Sequence, residues 1–315
     1  MRALVLEQSG PRFTQDFPAP SKAGEATIRL SVGGICATDL ELTKGYMGFT
    51  GVLGHEWVGV VEDAPDPGWV GARVVGEINC PCGVCETCRS GRGNHCPHRT
   101  VLGIDGRDGA FSERFSLPVR NLKRVPSGVA DEAAVFVEPL AAAVRIVAQI
   151  HVRPSSTVIV MGLGRLGQLC ARVLALTGAK VIGLSRTATK RSLVPAHIET
   201  MHPADAPEGV DVVVDTTGSP AGLSQATRLV RPGGTIVLKT TVHDPLPQPP
   251  TPWVLDEVQL IGSRCGPFEP ALRLLAAGLV DPTPLITAAC ALADGVDALQ
   301  LAGQPGSLKV LLRPD

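Results

Sequence analysis

The stretch that most restricts this chain is a strand-like run closed by three glycines. Thr157-Val158-Ile159-Val160 is apolar and β-branched, and it continues into Met161-Gly162-Leu163-Gly164-Arg165-Leu166-Gly167. An unbroken apolar run of this kind predicts a strand buried on both faces. After the glycines, Leu166, Leu169, Cys170, Val173 and Leu174 recur at i, i+3, i+4, i+7 and i+8, which is one face of a helix. A second strand is predicted over Lys180–Leu184. In this strand–turn–helix–strand setting the spacing G-x-G-x-x-G has a physical meaning. Its glycines permit a sharp turn, close approach of backbone to a pyrophosphate and close helix–strand contact, and the helix N-terminus aims its N–H groups at the phosphates. Gly162, Gly164, Arg165, Leu166 and Gly167 are therefore predicted to lie along a dinucleotide. The alternation then continues. Val210–Asp215 reads as a strand ending in Thr216-Thr217-Gly218, with Thr216 placed on the cofactor side. Ala221–Leu229 reads as a helix, and Thr235–Lys239 as a strand after the turn Arg231-Pro232-Gly233-Gly234. Alternating β and α segments predict an α/β fold with a doubly wound parallel sheet.

Sites for NAD usually carry an acid about 20 residues beyond the glycines, to hold the ribose 2′-hydroxyl. Here the second strand ends Gly183-Leu184-Ser185-Arg186-Thr187, with no acid. Ser185 can hydrogen-bond a 2′-phosphate, Arg186 can pair with it in bidentate fashion, and Lys190 adds charge. The pattern points to NADP(H), with NAD(H) as the alternative if Arg186 and Lys190 only form a solvated face.

The cysteines restrict the other half of the chain. Five of nine fall between positions 80 and 96, and four read Cys82-x-x-Cys85-x-x-Cys88-(x7)-Cys96. The odd count, in a chain with no evident export signal, argues against a disulfide framework. Thiolates two residues apart can converge on a tetrahedral ion at ~2.3 Å per Zn–S bond. Cys80 or Cys82 could supply the first ligand, and Cys82 keeps the two-residue spacing. Four thiolates fill every coordination position, so this site is expected to be structural, pinning a lobe over residues 80–97. A catalytic metal needs fewer protein ligands. Candidates lie in Gly33-Gly34-Ile35-Cys36-Ala37-Thr38-Asp39, in Gly54-His55-Glu56 and in Val137-Glu138-Pro139-Leu140. Each is beside a turn residue or a change of pattern, where a side chain can face a cleft.

Composition removes several functions. With 29 Lys plus Arg against 30 Asp plus Glu the formal net charge is −1, and aromatic residues make up 3% of the 315, so neither a basic field nor a base-stacking platform for nucleic acid is expected. No apolar stretch reaches the ~18 residues of a membrane helix; the best, from Pro139 to Ile150, contains Arg145. The apolar start Met1–Leu6 is broken by Glu7, too short for a secretory segment. A soluble, cytoplasmic chain of about two domains is expected.

In order along the chain, GGICATDL, GHEWVGVV, CGVCETCRSGRGNHC, VEPLA and VMGLGRLG resemble the zinc-dependent alcohol dehydrogenases of the medium-chain dehydrogenase/reductase superfamily, including the sorbitol and threonine dehydrogenase branches. The resemblance covers almost the whole chain. It implies a GroES-like β-rich catalytic domain over 1–138, a Rossmann NAD(P)-binding domain over 139–263, and a return to the catalytic domain over 264–315. It implies Cys36 and His55 as the first two ligands of a catalytic zinc, with Glu138 or Glu56 as the third, and a second, structural zinc. Thr38 matches the hydroxyl that relays the substrate proton, and Lys309 a basic residue facing the cofactor pyrophosphate. The implied activity is hydride transfer between an alcohol or polyol, or its aldehyde or ketone, and NADP(H). Zinc acts there as a Lewis acid toward the substrate oxygen. Homodimers or homotetramers are implied. Two alternatives are a superfamily reductase without catalytic zinc and a non-enzymatic NADP(H)-binding sensor or zinc-ribbon interaction protein. The chain also departs from the pattern. Glu41-Leu42 stands where several relatives end the relay in a His, and only 18 residues separate Cys36 from His55. Arg264 is expected to bind a substrate anion or the cofactor, or else to form a structural ion pair.

Overall fold

A computed structural model describes residues 1–20, 22–241 and 249–314. The first stretch of chain holds β1 (Ala3–Glu7), β2 (Gly10–Thr14), β3 (Ala26–Gly34), α1 (Ala37–Leu42), β4 (Gly51–Val52), β5 (Glu56–Asp63), β6 (Arg73–Gly76), β7 (Asn79–Cys80), α2 (Glu86–Arg89), β8 (Thr100–Leu102), β9 (Gly106–Arg107), β10 (Arg114–Leu117), β11 (Leu122–Arg124) and α3 (Asp131–Ala134). Helix α4 (Val137–Gln149) leads to β12 (Thr157–Met161), α5 (Arg165–Ala175), β13 (Lys180–Leu184), α6 (Ala188–Ser192), β14 (Glu199–Met201), β15 (Val210–Asp215), α7 (Ala221–Leu229), β16 (Val230–Leu238), α8 (Thr251–Leu255) and β17 (Gln259–Gly262). The chain then returns through α9 (Phe268–Ala276), β18 (Ile286–Ala291), α10 (Gly295–Gly303) and β19 (Lys309–Arg313). Two compact units result: Met1–Glu138 with Ala271–Asp315, and Pro139–Pro270. No helix among the described residues is long and apolar enough to cross a membrane.

In the first unit a seven-stranded sheet runs β11-β6-β5-β3-β19-β18, with β10 added on β3. Strand β3 alternates buried and less buried residues until Val32-Gly33-Gly34, which are buried in succession. That is the point where both faces become covered, and it is where the segment leading to Cys36 begins. The register pairs Gly34 with Glu56 and Gly33 with Trp57 across β3 and β5, and Leu312 with Gly33 across β19 and β3. The C-terminal strand thus lies beside the strand end that leads to Cys36. Ile35, Leu42, Leu53, Phe111, Val310 and Leu312 form one apolar cluster under this region; each such side chain stabilises the unit by about 1.5–3 kcal/mol on burial. Gly54 has φ +97°, and a Cβ there would stand 2.3 Å from the Phe111 ring, so the residue before His55 has to be glycine.

The second unit is a six-stranded parallel sheet in the order β14-β13-β12-β15-β16-β17. Counted within the unit this is 3-2-1-4-5-6, and strand order reverses between β12 and β15, where a dinucleotide-binding sheet places its crevice. One element differs from expectation. The Arg231–Gly234 segment, expected as a turn before a strand, lies within β16. The pairing with β15 steps from Val210↔Val230 to Val212↔Thr235. A bulge with Gly233 at φ +66° absorbs the extra residues.

Candidate active site

Where β3 ends, Cys36 adopts an extended conformation and forms the N-cap of α1, its amide donating to Asp39 Oδ2 at 2.8 Å. His55 and Glu56 open β5 on the neighbouring strand. Ligand atoms of Cys36, His55 and Glu56 all lie within 4.8 Å of one another. Asp39 is fully buried, and its Oδ1 lies 3.3 Å from His55 Nδ1. A carboxylate on Nδ1 directs Nε2 outward as the coordinating nitrogen. Burial works against a charged His55, but Asp39 and the Cys36 sulfur outweigh it and hold its pKa well above the ordinary imidazole value. Thr38 Oγ1 is 3.8 Å from Cys36 Sγ.

Glu56 and Lys309 are both 1% exposed, and Lys309 Nζ donates to Glu56 Oε2 and, at 3.4 Å, to the Ile35 carbonyl. The resemblance implied Lys309 as a basic residue facing the cofactor pyrophosphate; in the structure its Nζ is held by Glu56. A sealed ammonium needs a carboxylate, and this one is bound to Glu56. Glu138 stands in the first turn of α4 and is not part of the three-residue group. The group suits a metal on its own chemistry. A thiol, an imidazole and a carboxylate are zinc donors, and three protein ligands leave a fourth position open.

The second cluster is Cys82, Cys85, Cys88 and Cys96. Sulfur separations are 3.5 Å for Cys85–Cys88, 3.6 Å for Cys82–Cys96, 3.7 Å for Cys85–Cys96 and 3.9 Å for Cys82–Cys88. A tetrahedron with Zn–S bonds of ~2.3 Å has edges of about 3.8 Å, so the four thiols already stand at the corners a zinc ion requires. The amides of Val84 and Cys85 point at Cys82 and pull its thiol pKa down to about 6. Cys80 lies apart, buried on β7, where Asn121 Nδ2 donates to its sulfur at 3.7 Å. Arg120 donates to the Pro81 carbonyl and Arg99 to that of Cys96, so two guanidinium groups brace the lobe.

In the second unit the three glycines do three different things. Gly162 has φ +88° and makes the turn. Gly164 forms the N-cap of α5, and a Cβ there would meet nothing within 4 Å, which leaves the gap that a phosphate group would approach. A Cβ on Gly167 would stand 1.9 Å from the Gly162 carbonyl oxygen and 2.6 Å from Thr216 Oγ1. Thr216 itself donates to the carbonyls of Met161 at 2.8 Å and Gly162 at 2.7 Å, so its hydroxyl holds the loop in shape. Arg165 and Leu166 begin α5. Beyond β13, buried Ser185 accepts a hydrogen bond from the Thr187 amide at 3.2 Å; Arg186 is exposed and Lys190 half-buried on α6. Arg264 is exposed just past β17.

Two residues escaped the sequence argument. Asp39 lay inside a quoted motif but carried no role; the signal was an acid three residues after a candidate ligand, on the same helical turn. Arg191 donates to the Ser185 carbonyl at 2.5 Å and so brings a second guanidinium to the end of β13. Its place in the basic last turn of α6, beside Lys190, could have marked it.

Comparison with known proteins matches residues 22–127 to the alcohol dehydrogenase GroES-like domain and residues 166–277 to the zinc-binding dehydrogenase family. Sorbitol dehydrogenase of Bacillus subtilis is 29% identical over 345 aligned positions, covering 100% of this chain and 98% of that protein. A zinc-binding dehydrogenase from Sinorhizobium meliloti bound to NADP superposes with TM-score 0.89 at 30% identity, covering 99% of each chain. The RspB alcohol dehydrogenase of Escherichia coli in complex with NADH superposes with TM-score 0.91 at 26% identity, again over 99% of each chain.

Proposed function

Because the chain belongs to the zinc-dependent medium-chain dehydrogenase/reductase family, in its sorbitol dehydrogenase branch, we propose that it interconverts an alcohol or polyol and the corresponding aldehyde or ketone, with NADP(H) as hydride carrier. The observation that carries this reading is the buried group of Cys36, His55 and Glu56, three zinc-type donors with a coordination position to spare. We assign the third ligand to Glu56 rather than Glu138, since Glu56 stands in the group. Zinc, when bound there, supplies Lewis acidity toward the substrate oxygen.

The protein's own groups do the rest. Asp39 orients His55 and keeps its coordinating nitrogen directed into the group. Lys309 pins one oxygen of Glu56. Thr38 Oγ1, beside the Cys36 sulfur and half-buried, is placed to take the substrate's hydroxyl proton while passing its own to solvent water. The gap at Gly164 and the N-terminus of α5 receive the pyrophosphate. Ser185, Arg186 and Lys190 receive the 2′-phosphate, and the absence of an acid after β13 favours NADP(H) over NAD(H). The four thiols of the second cluster hold a structural zinc, for a total of two ions per chain. Both cysteine-containing clusters need reduced thiols to hold a metal, which supports a reducing, cytoplasmic setting. A homo-oligomer is supported by the position of β17 at the edge of the sheet among the described residues and by the apolar side chains around it, with Leu260 exposed and Val254 and Leu255 of α8 71% and 76% exposed.

Metal analysis and a polyol and sugar-ketone panel followed by NADPH absorbance test the reading. Two zinc ions per chain are expected in the purified protein. Cys36→Ser should contain one and lose turnover while keeping its melting temperature. Full activity in that variant would sink the assignment.

A further inference from the structure

Two buried polar residues on α5 have no part in the reaction described so far. Gln168 is fully buried and Arg172 is 6% exposed, one turn apart on the helix that starts at the glycine loop. Apolar residues would fill such positions at lower desolvation cost, so their hydrogen bonds are informative. Arg172 Nη1 donates to Gln168 Oε1 at 2.7 Å and to the Gln168 carbonyl at 3.0 Å, which fixes the carboxamide's orientation. Gln168 Nε2 then donates to the Lys190 carbonyl at 2.6 Å, and Arg172 Nη2 to the Leu193 carbonyl at 2.7 Å. Those two carbonyls are at the C-terminal end of α6, the five-residue helix that bears Lys190 and Arg191. A helix this short has little stability of its own. Its last carbonyls carry the negative end of its dipole and suit a guanidinium. From the other side of the same segment, Arg191 closes back onto the Ser185 carbonyl at the end of β13.

We propose that Gln168 and Arg172 are positioning residues for cofactor selectivity: a carboxamide–guanidinium clamp on α5 that sets the basic arm from Ser185 to Arg191 against the 2′-phosphate of NADP(H). The proposal rests on the NADP(H) reading of that arm. One helix then serves two phosphates. Its N-terminus meets the pyrophosphate, and its second and third turns hold in register the segment that meets the 2′-phosphate. The two residues touch no cofactor atom and act through the arm.

The test uses the full-length, zinc-loaded enzyme with Arg172→Met, which keeps the aliphatic stem and removes the guanidinium, and with Gln168→Glu, which keeps an acceptor for Arg172 and removes the donor to Lys190. KM and kcat are measured for NADPH and for NADH, and binding of 2′,5′-ADP and of 5′-AMP is measured without turnover. Arg172→Met should raise KM for NADPH about tenfold, the scale of a misplaced binding group. It should weaken 2′,5′-ADP in parallel, leave NADH and 5′-AMP within about twofold and leave kcat at saturation unchanged. Gln168→Glu should show a smaller shift of the same kind, and Arg172→Lys a partial recovery. In an Arg186→Ala background the Arg172→Met effect should shrink, because both changes act on one arm. Equal weakening of both cofactors by Gln168→Glu and Arg172→Met, or a fall in melting temperature with an unchanged NADPH-to-NADH ratio, would overturn the clamp and leave the NADP(H) reading standing. Should Arg172→Met fail to fold, Gln168→Glu decides by the same two criteria. A wild-type enzyme with no preference for NADPH overturns both.

Discussion

Asp39 divides its carboxylate between two partners, the Cys36 amide on Oδ2 and His55 Nδ1 near Oδ1. It therefore sets the conformation of one proposed zinc ligand and the orientation of another. Replacing it with Asn keeps the shape but removes the charge that favours the correct imidazole face. Asp39→Asn should weaken zinc at the Cys36 site by about 10–100-fold, as loss of such supporting partners generally does; chelator competition on the purified enzyme measures it, and unchanged affinity would show that Asp39 serves only the turn. Arg186 gives a second prediction at this scale. It is exposed and follows directly on buried Ser185. Loss of its guanidinium from a phosphate should cost about 2 kcal/mol. KM for NADPH should therefore rise about 30-fold in Arg186→Ala while KM for NADH hardly moves. Equal effects on both would remove the 2′-phosphate assignment.

Among the elements, the start of β3 is joined to β9 and β10 by a buried pair. Arg107 donates to both oxygens of Glu25, at 2.7 and 2.9 Å, and the Ser116 hydroxyl adds a bond at 3.0 Å. Burial pushes the Glu25 carboxyl up, but Arg107, Ser116 and Lys22 outweigh it and hold its pKa below the ordinary carboxylate value. The native pKa is thus lower than the unfolded one, so the pair contributes in full above the unfolded value of about 4.3 and loses its contribution as pH falls through the native value. Glu25→Gln should cost about 3 kcal/mol near neutral pH by leaving Arg107 without its counter-charge. Its melting temperature should then vary less than wild type across the acid range, as calorimetry from about pH 3 to pH 7 would show. Identical acid limbs would refute the assignment. The elements were unequally legible. β12, β13, β15 and α7 follow from apolar runs and turn residues within their own span. β14 and β17 do not: Glu199-Thr200-Met201 has no hydrophobic pattern, and Gln259–Gly262 is an exposed edge. Only pairing with β13 and β16 makes them strands.

For the whole molecule, the two clusters proposed to hold zinc differ in composition, and they should fail differently. Cys88→Ser leaves three thiolates and should lose the lobe's zinc and lower the melting temperature, by about 2–4 °C for each kcal/mol lost, with the Cys36 site still loaded. Calorimetry with metal analysis separates this from Cys36→Ser. If both variants lost activity and stability to the same degree, the division into structural and catalytic sites would be wrong. The glycine loop and the four-thiol lobe could be read from the residues alone because their geometry is local: the groups that must meet lie within a few turns of chain, and spacing decides whether they can. The rest depended on which strands became neighbours. Glu56 and Lys309 are 253 residues apart and meet because β19 lies beside β3, which pairs with β5. The same register put Glu56, and not Glu138, with Cys36 and His55. Sequence periodicity tells which face of a strand is buried, but strand neighbours are selected by the packing of the whole core, and so the buried ionic partners emerged only with the tertiary fold.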